Sequence, residues 1–302
     1  MLRILAVLVL VLPVTAAAAP EADLWPRWLE DSPGSTRTVD QTRWAAFLKR
    51  YVSEGEDGIN RVAYAEVALA DRAALFAHVD ALQRVPVGEL ARDKQAAFWV
   101  NLYNALTVRT VLQHYPVAGI REIDISPGLF ADGPWGAELV EVEGVPLSLD
   151  DIEHRILRPI WRDPRIHYAV NCAALGCPNL QREPFAAARL DAQLDAAARA
   201  FVGHPRGVAI EDDELIVSSI YRWFSEDFGA DDAAVIAHLR TYAPPDLARD
   251  LAGFTRIEDY AYDWNLNDAG IRPAASRRAF DAWSPTPSRS AVAAGCPVGS
   301  SC

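Results

Sequence analysis

The sequence predicts an α+β fold, a helix-rich single domain with a small sheet and hairpins, on three observations. Several segments between Thr42 and Tyr242 place apolar side chains at helical spacing. Two short β-prone pairs are each split by a turn, at Glu143-Gly144 and at Glu211 to Asp213. Half of the 302 residues are hydrophobic (51%) and 23% are charged, which suits one packed core and excludes a disordered or collagen-like chain.

Residues 1–19 read as a signal peptide: a basic start at Arg3, an apolar run from Ile4 to Val14, then the small residues Ala16 to Ala19. That run is about eleven residues, well short of the roughly twenty that span a bilayer. No later stretch is apolar enough for a transmembrane segment. Cleavage after Ala18 or Ala19 would give an exported protein, periplasmic or extracellular. Residues 20–40, with Pro20, Pro26, Pro33 and Gly34, read as an extended leader draped over the fold.

The domain itself is placed at 41–270. Trp44, Phe47, Leu48 and Tyr51 mark a first helix over Thr42 to Tyr51. After the break at Asp57-Gly58, an alanine-rich pattern predicts helix from Arg61 to Leu82. The segment Asp93 to Tyr115 is apolar on most sides and should be the central helix, stopped by Pro116. A hairpin over 139–147 leads into a helix, Asp150 to Leu157, capped by Ser148 with Asp151. Ile166 to Val170 reads as a short buried strand. A second hairpin pairs Val208–Ile210 with Glu214–Val217, and Ser218 starts a helix carrying Ile220, Trp223 and Phe224 that Gly229 ends. Helix is again predicted over Asp231 to Tyr242, and extended chain over Phe254 to Tyr262. Residues 271–302, rich in Pro, Ser and Ala and carrying Cys296 and Cys302, are expected to be a disordered tail.

Lys plus Arg number 29 against 41 Asp plus Glu, a net charge of -12, which repels phosphate backbones and argues against nucleic-acid partners and anionic membranes. Walker, dinucleotide, G-x-S-x-G and H-E-x-x-H patterns are absent, so no cofactor is expected and the usual dehydrogenase, kinase, serine hydrolase and zincin classes are disfavoured. Asp212-Asp213-Glu214 and Asp231-Asp232 lack the alternation of a calcium loop and fit a turn and a helix start.

Chemistry concentrates in the segment from His167 to Pro178, where Asn171 and Cys172 follow a histidine and precede Gly176 and Cys177. Glu153 and His154 lie just upstream. Three readings stand side by side. Cys172 would be a nucleophile, with His167 or His154 as base and Glu153 or an Asn orienting the imidazole. Alternatively, His154, His167, Cys172 and Cys177 would hold a metal, although their spacing matches no standard zinc pattern and no metal is assigned. In the third reading Cys172 and Cys177 form a disulfide, as an oxidising compartment permits. On the central helix, Asn101 and Asn104 share one face; they either satisfy neighbouring backbone or, with Lys94, face a pocket.

Ala97 to Leu106, Leu149 to Arg158, His167 to Pro178 and Tyr262 to Asn267 together resemble domain-of-unknown-function family 547. Its members occur in bacteria, often exported, and in plants and some animals beside other domains. The resemblance implies that the Cys172 position is usual and the Cys177 position variable, which favours the single thiol. A helix-rich domain with a Cys and His pair is also the plan of papain-like and transglutaminase-like folds, although the central helix here has no cysteine.

The expectation is therefore a cysteine-dependent hydrolase or acyltransferase acting on amide, isopeptide or thioester bonds. Cys172, His167, His154 and Glu153 would be catalytic, and Lys94, Asn101, Asn104 and Asn171 would bind substrate or oxyanion. The alternative is a non-catalytic envelope binding domain for a peptide, polymer or partner protein, its groove lined by aromatic residues. Disulfide exchange is disfavoured by the lack of C-x-x-C.

Overall fold

In the computed structural model, which describes residues 20–128 and 132–270, helix α1 (Thr42–Tyr51) has the bounds its spacing predicts and buries Trp44, Phe47, Leu48 and Tyr51. The expected continuous helix from Arg61 does not form. Strand β1 (Val52–Glu54) pairs antiparallel with β2 (Asn60–Val62), and α2 is confined to Leu69–Leu82. The cause is local: Arg61 clamps Asp57 with two bonds of 2.7 and 2.6 Å, and Gly58 takes a positive φ of 76°, so the chain reverses before it can wind.

Helix α3 (Arg92–His114) is the axis of the fold, with an unbroken buried run from Gln95 to Val108. Burying Phe98, Trp99, Leu102 and Leu106 contributes about 1.5–3 kcal/mol for each side chain. The leader lies along this core. Trp28 packs edge-on against Trp99 at 5.0 Å, Gln95 Nε2 donates to the Glu30 carbonyl, and Asp23 and Trp25 donate backbone bonds to the carbonyls of His154 and Arg155.

Strands β3 (Val140–Val142) and β4 (Val145–Leu147) form the first predicted hairpin, with Glu143 and Gly144 both at positive φ in the tight turn. Ser148 and Asp151 then cap each other's backbone N–H at 3.0 and 2.9 Å. The helix they start is not a plain α-helix. It is π-helical over Asp151–Leu157 and continues as α4 (Arg158–Trp161). Such wide turns are frequent at functional sites.

The predicted strand over 166–170 is a short 3₁₀ turn, Pro164–Tyr168. Pro164 favours the first helical position, and the Asp163 side chain accepts from Arg165 N at 2.9 Å, so local capping overrides the β-prone side chains. His167 thus sits in a helical turn.

Helix α5 (Leu190–Val202) leads to β5 (Val208–Glu211) and β6 (Glu214–Ser218), the second predicted hairpin. Helix α6 (Ile220–Trp223) follows, then a 3₁₀ turn, Ser225–Phe228, ended by Gly229 at φ 108°. Asp231 caps α7 (Asp232–Tyr242) through Ala234 N, and Pro244 precedes α8 (Pro245–Asp250). Strand β7 (Asp259–Ala261) lies parallel to β6, giving the order β5-β6-β7. The arrangement is α+β, with eight α-helices and sheets of two or three strands among the described residues.

One apolar cluster surrounds α3 and a second joins α5, α7 and the β5–β6 hairpin through Tyr168, Phe201 and Tyr221. No helix among the described residues is long and apolar enough to cross a membrane. The signal-peptide and tail expectations fall on 1–19 and 271–302, outside the described residues.

Candidate functional site

The loop carrying Cys172 is held by buried amides. Asn104 on α3 donates to the Ala169 carbonyl at 2.9 Å and accepts from Asn171 N at 2.8 Å. Asn171 in turn accepts from Ala173 N and donates to the Pro178 carbonyl, closing the loop on itself. Ala173 takes a left-handed φ of 60°, which the Asn171 side chain stabilises. The C-terminal strip 263–267 then covers the loop. Leu175 and Gly176 donate to the carbonyls of Asn265 and Asp263 at 2.8 Å, and Asn267 N donates to Ala173 O at 2.9 Å. Gly176 is required there, because an added Cβ would come within 2.7 Å of Asp263 N.

This turn brings the Cα atoms of Cys172 and Cys177 to 6.2 Å, and the two residues form a disulfide. The Tyr262 hydroxyl lies 3.0 Å from one sulfur and 3.1 Å from the other. Burial holds that phenol well above its ordinary range, so it stays protonated.

Beneath the loop runs a chain of charges. His167 Nε2 bonds to Asp227 at 2.7 Å, and its Nδ1 faces Glu153 at 3.6 Å. Burial opposes the imidazolium, but the bonds to Asp227 and Glu153 outweigh it and raise the His167 pKa. Burial also works to raise Glu153, yet neighbouring His154 and His167 and the Tyr103 hydroxyl together hold it at about 2. His154 itself is driven down to about 4 by burial. Arg158, with 1% of its side chain exposed, donates to Asp227 at 2.5 Å and Glu226 at 2.7 Å. It also donates to His154 Nδ1 at 3.1 Å and to the Pro20 carbonyl at 2.7 Å. Phe224 stacks on His167 with ring centroids 4.4 Å apart.

At the rim stands Asp150, whose side chain is 38% exposed and lies 3.7 Å from His154 Nε2. Burial, then the charges of Glu153 and Asp151, raise it to about 7. An Asp raised in this way favours the folded state at acid pH, and that advantage fades as pH rises from about 4 to about 7. Asp150→Asn should therefore match the parent near pH 4 and exceed its unfolding free energy at pH 8. After discounting for the open face, the gain is about 1 kcal/mol, read by urea denaturation at the two pH values.

Next to the disulfide, Trp135, Trp223, Tyr262 and Trp264 form one part-exposed aromatic cluster. Trp223 meets Tyr262 at 4.8 Å and Trp264 at 5.5 Å, and Trp264 meets Trp135 at 5.7 Å. Trp135 is tied to the acid rim, because its carbonyl accepts from Asp150 N at 3.0 Å.

The structure brings together Glu153, His154 and His167 from the expected catalytic set, but it does not give them a thiolate. Cys172 is half of a cystine. Both nitrogens of His167 face carboxylates, while those of His154 face Arg158 and Asp150, so neither ring is aimed at Cys172. The expected oxyanion donors are likewise committed elsewhere. Asn101 pairs with both backbone groups of Phe185, Asn104 and Asn171 hold the loop, and Lys94 donates to the Ser35 carbonyl at the far end of α3. Arg158, Asp227, Tyr103 and Asp150 were missed as members of the cluster. Arg158 stands four residues after His154, one helical turn on, which was a legible signal. Asp227 arrives from a turn 60 residues beyond His167 and left no local signal. Among the described residues no group of acids, His and Cys is arranged to hold a metal ion.

Residues 87–202 match the family model described as Protein of unknown function, DUF547. The resemblance carried by the Ala97–Leu106, Leu149–Arg158 and His167–Pro178 motifs is thus shown over that stretch, whereas Tyr262–Asn267 lies beyond it. No curated protein and no solved structure matches the chain, so the papain- or transglutaminase-like plan draws no support from a structural relative.

Proposed function

We propose that this chain is an exported binding domain whose ligand is an envelope polysaccharide, docked on the Trp135, Trp223, Tyr262 and Trp264 face. The observation that carries this reading is the meeting of four part-exposed rings beside a bridged loop and an acid rim. Aromatic faces pack against the C–H faces of sugars, and Asp150 supplies an acceptor for hydroxyls at the edge of the same surface. The amides and ion pairs under the face are saturated by protein partners, which suits a rigid platform better than a reaction centre.

Co-sedimentation with purified, insoluble cell-wall polysaccharide tests the proposal. The parent protein should pellet saturably, and Trp223→Ala and Trp264→Ala should each weaken binding about tenfold while retaining the parent circular dichroism. Undiminished binding by both folded variants, or no binding by the parent, would exclude this face as a polysaccharide site. Binding of wall-derived peptides with no binding of the glycan would reassign the ligand.

A further inference from the structure

We propose that the Cys172–Cys177 bridge is an exchangeable disulfide, accepting two electrons from a dithiol that approaches through Cys172. This activity does not depend on the polysaccharide reading, because it needs the loop and not the glycan.

The two sulfurs are unequal. Cys172 is part-exposed, whereas Cys177 is 3% exposed, so an incoming thiolate meets Cys172 first. Departure of the inner sulfur is prepared as well. Cys177 Sγ already accepts from Cys172 N at 2.9 Å, and the Tyr262 hydroxyl, 3.1 Å from Cys177 Sγ and 3.0 Å from Cys172 Sγ, can turn its proton to the thiolate that forms on Cys177. The phenol is protonated at neutral pH and remains a donor. Arg206 strengthens this end of the loop by donating to the Leu175 carbonyl at 2.9 Å and to Asn179 at 2.6 Å.

The loop also has reasons to keep its shape with the bridge open. Its ties through Asn104, Asn171, Asp263 and Asn265 use no sulfur. After reduction the two thiols would stay adjacent and able to close again. C-x-x-C motifs ordinarily supply one exposed and one buried sulfur; here the left-handed turn at Ala173 and the covering strip 263–267 supply the same asymmetry over a longer spacing.

A substrate thiolate attacks Cys172 Sγ, forming a mixed disulfide, while the Cys172–Cys177 bond breaks and its electron pair leaves on Cys177 Sγ. The second thiolate of the same dithiol then attacks its own sulfur in the mixed disulfide, and Cys172 leaves as a thiolate. Both cysteines take up the protons released by the substrate. The dithiol is oxidised to a disulfide and the protein bridge is reduced to two thiols.

The test uses dithiothreitol as the dithiol, with no polysaccharide present, and follows thiols in the folded protein by acid quench, alkylation and peptide mapping. The bridge should open in native buffer with unchanged circular dichroism, and Tyr262→Phe should slow opening about tenfold through loss of a donor to the leaving sulfur. Cys177→Ala should capture glutathione at Cys172 from oxidised glutathione, while Cys172→Ala should leave Cys177 unmodified. The Cys177→Ala result keeps the test decisive should Tyr262→Phe not fold. Opening only at denaturant concentrations that unfold the chain, or preferential capture at Cys177, would overturn the proposal. Equal rates for folded Tyr262→Phe and the parent would remove Tyr262 from it.

Discussion

Arg158→Ala should cost the fold about 3–5 kcal/mol, the largest loss expected from a single side chain outside the apolar core. The guanidinium is 1% exposed and serves Asp227, Glu226, His154 and the Pro20 carbonyl at once, so its removal leaves the part-buried Asp227 with His167 as its remaining charged partner. Phe224 loses a packing partner too, since the guanidinium lies 4.9 Å from its ring. The sign of the pH dependence follows from the carboxylates. Asp227, which burial would raise, is held at about 2 by His167 and Arg158, below an unfolded value of about 3.9. Its contribution is present above the unfolded value and is lost as pH falls through about 2. The deficit of Arg158→Ala against the parent should therefore be full at pH 6 and shrink as pH is lowered towards 2 in urea titrations. A deficit under 1 kcal/mol at pH 6 would show that the buried cluster contributes little.

Asn104→Ala comes second, at about 2–5 kcal/mol. It orphans two buried backbone groups, the Ala169 carbonyl and Asn171 N, and each costs about 1–3 kcal/mol when left without a partner. Asn101→Ala offers a matched control, because it strips the two backbone groups of Phe185 and leaves the cysteine loop untouched. Both variants should unfold earlier than the parent. Hydrogen exchange should rise at 171–178 in Asn104→Ala, and around Phe185 in Asn101→Ala. Equal protection of 171–178 in both would mean that Asn104 does not position the loop.

These two amides show how far the sequence could be read. Their shared face on an apolar helix was visible as spacing, and so was the demand for partners; the identity of the partners was not, because they lie 65 to 84 residues away. Helix α3 and both predicted hairpins were legible for a similar reason, since periodicity and turn residues are local. The 3₁₀ turn at Pro164–Tyr168 was not, because its β-prone residues are buried by tertiary packing and Asp163 caps the turn. The helix expected from Arg61 gives way to the pairing of β1 with β2 around the reversal at Asp57-Gly58, which spacing alone did not weigh. At the site, Glu153, His167, Cys172 and Cys177 were all singled out from sequence. Their pairing was left open there, and it decides the chemistry: sulfur with sulfur, and imidazole with carboxylate.

The Cys172–Cys177 pairing is tested most directly by peptide mapping of the native protein without reductant, after brief alkylation at neutral pH. The predicted result is a single cross-linked species joining the Cys172 and Cys177 peptides, with neither residue alkylated. A free Cys172, alkylated rapidly and with an apparent pKa well below the ordinary thiol value of about 8.5, would contradict the account and restore a cysteine nucleophile to the site.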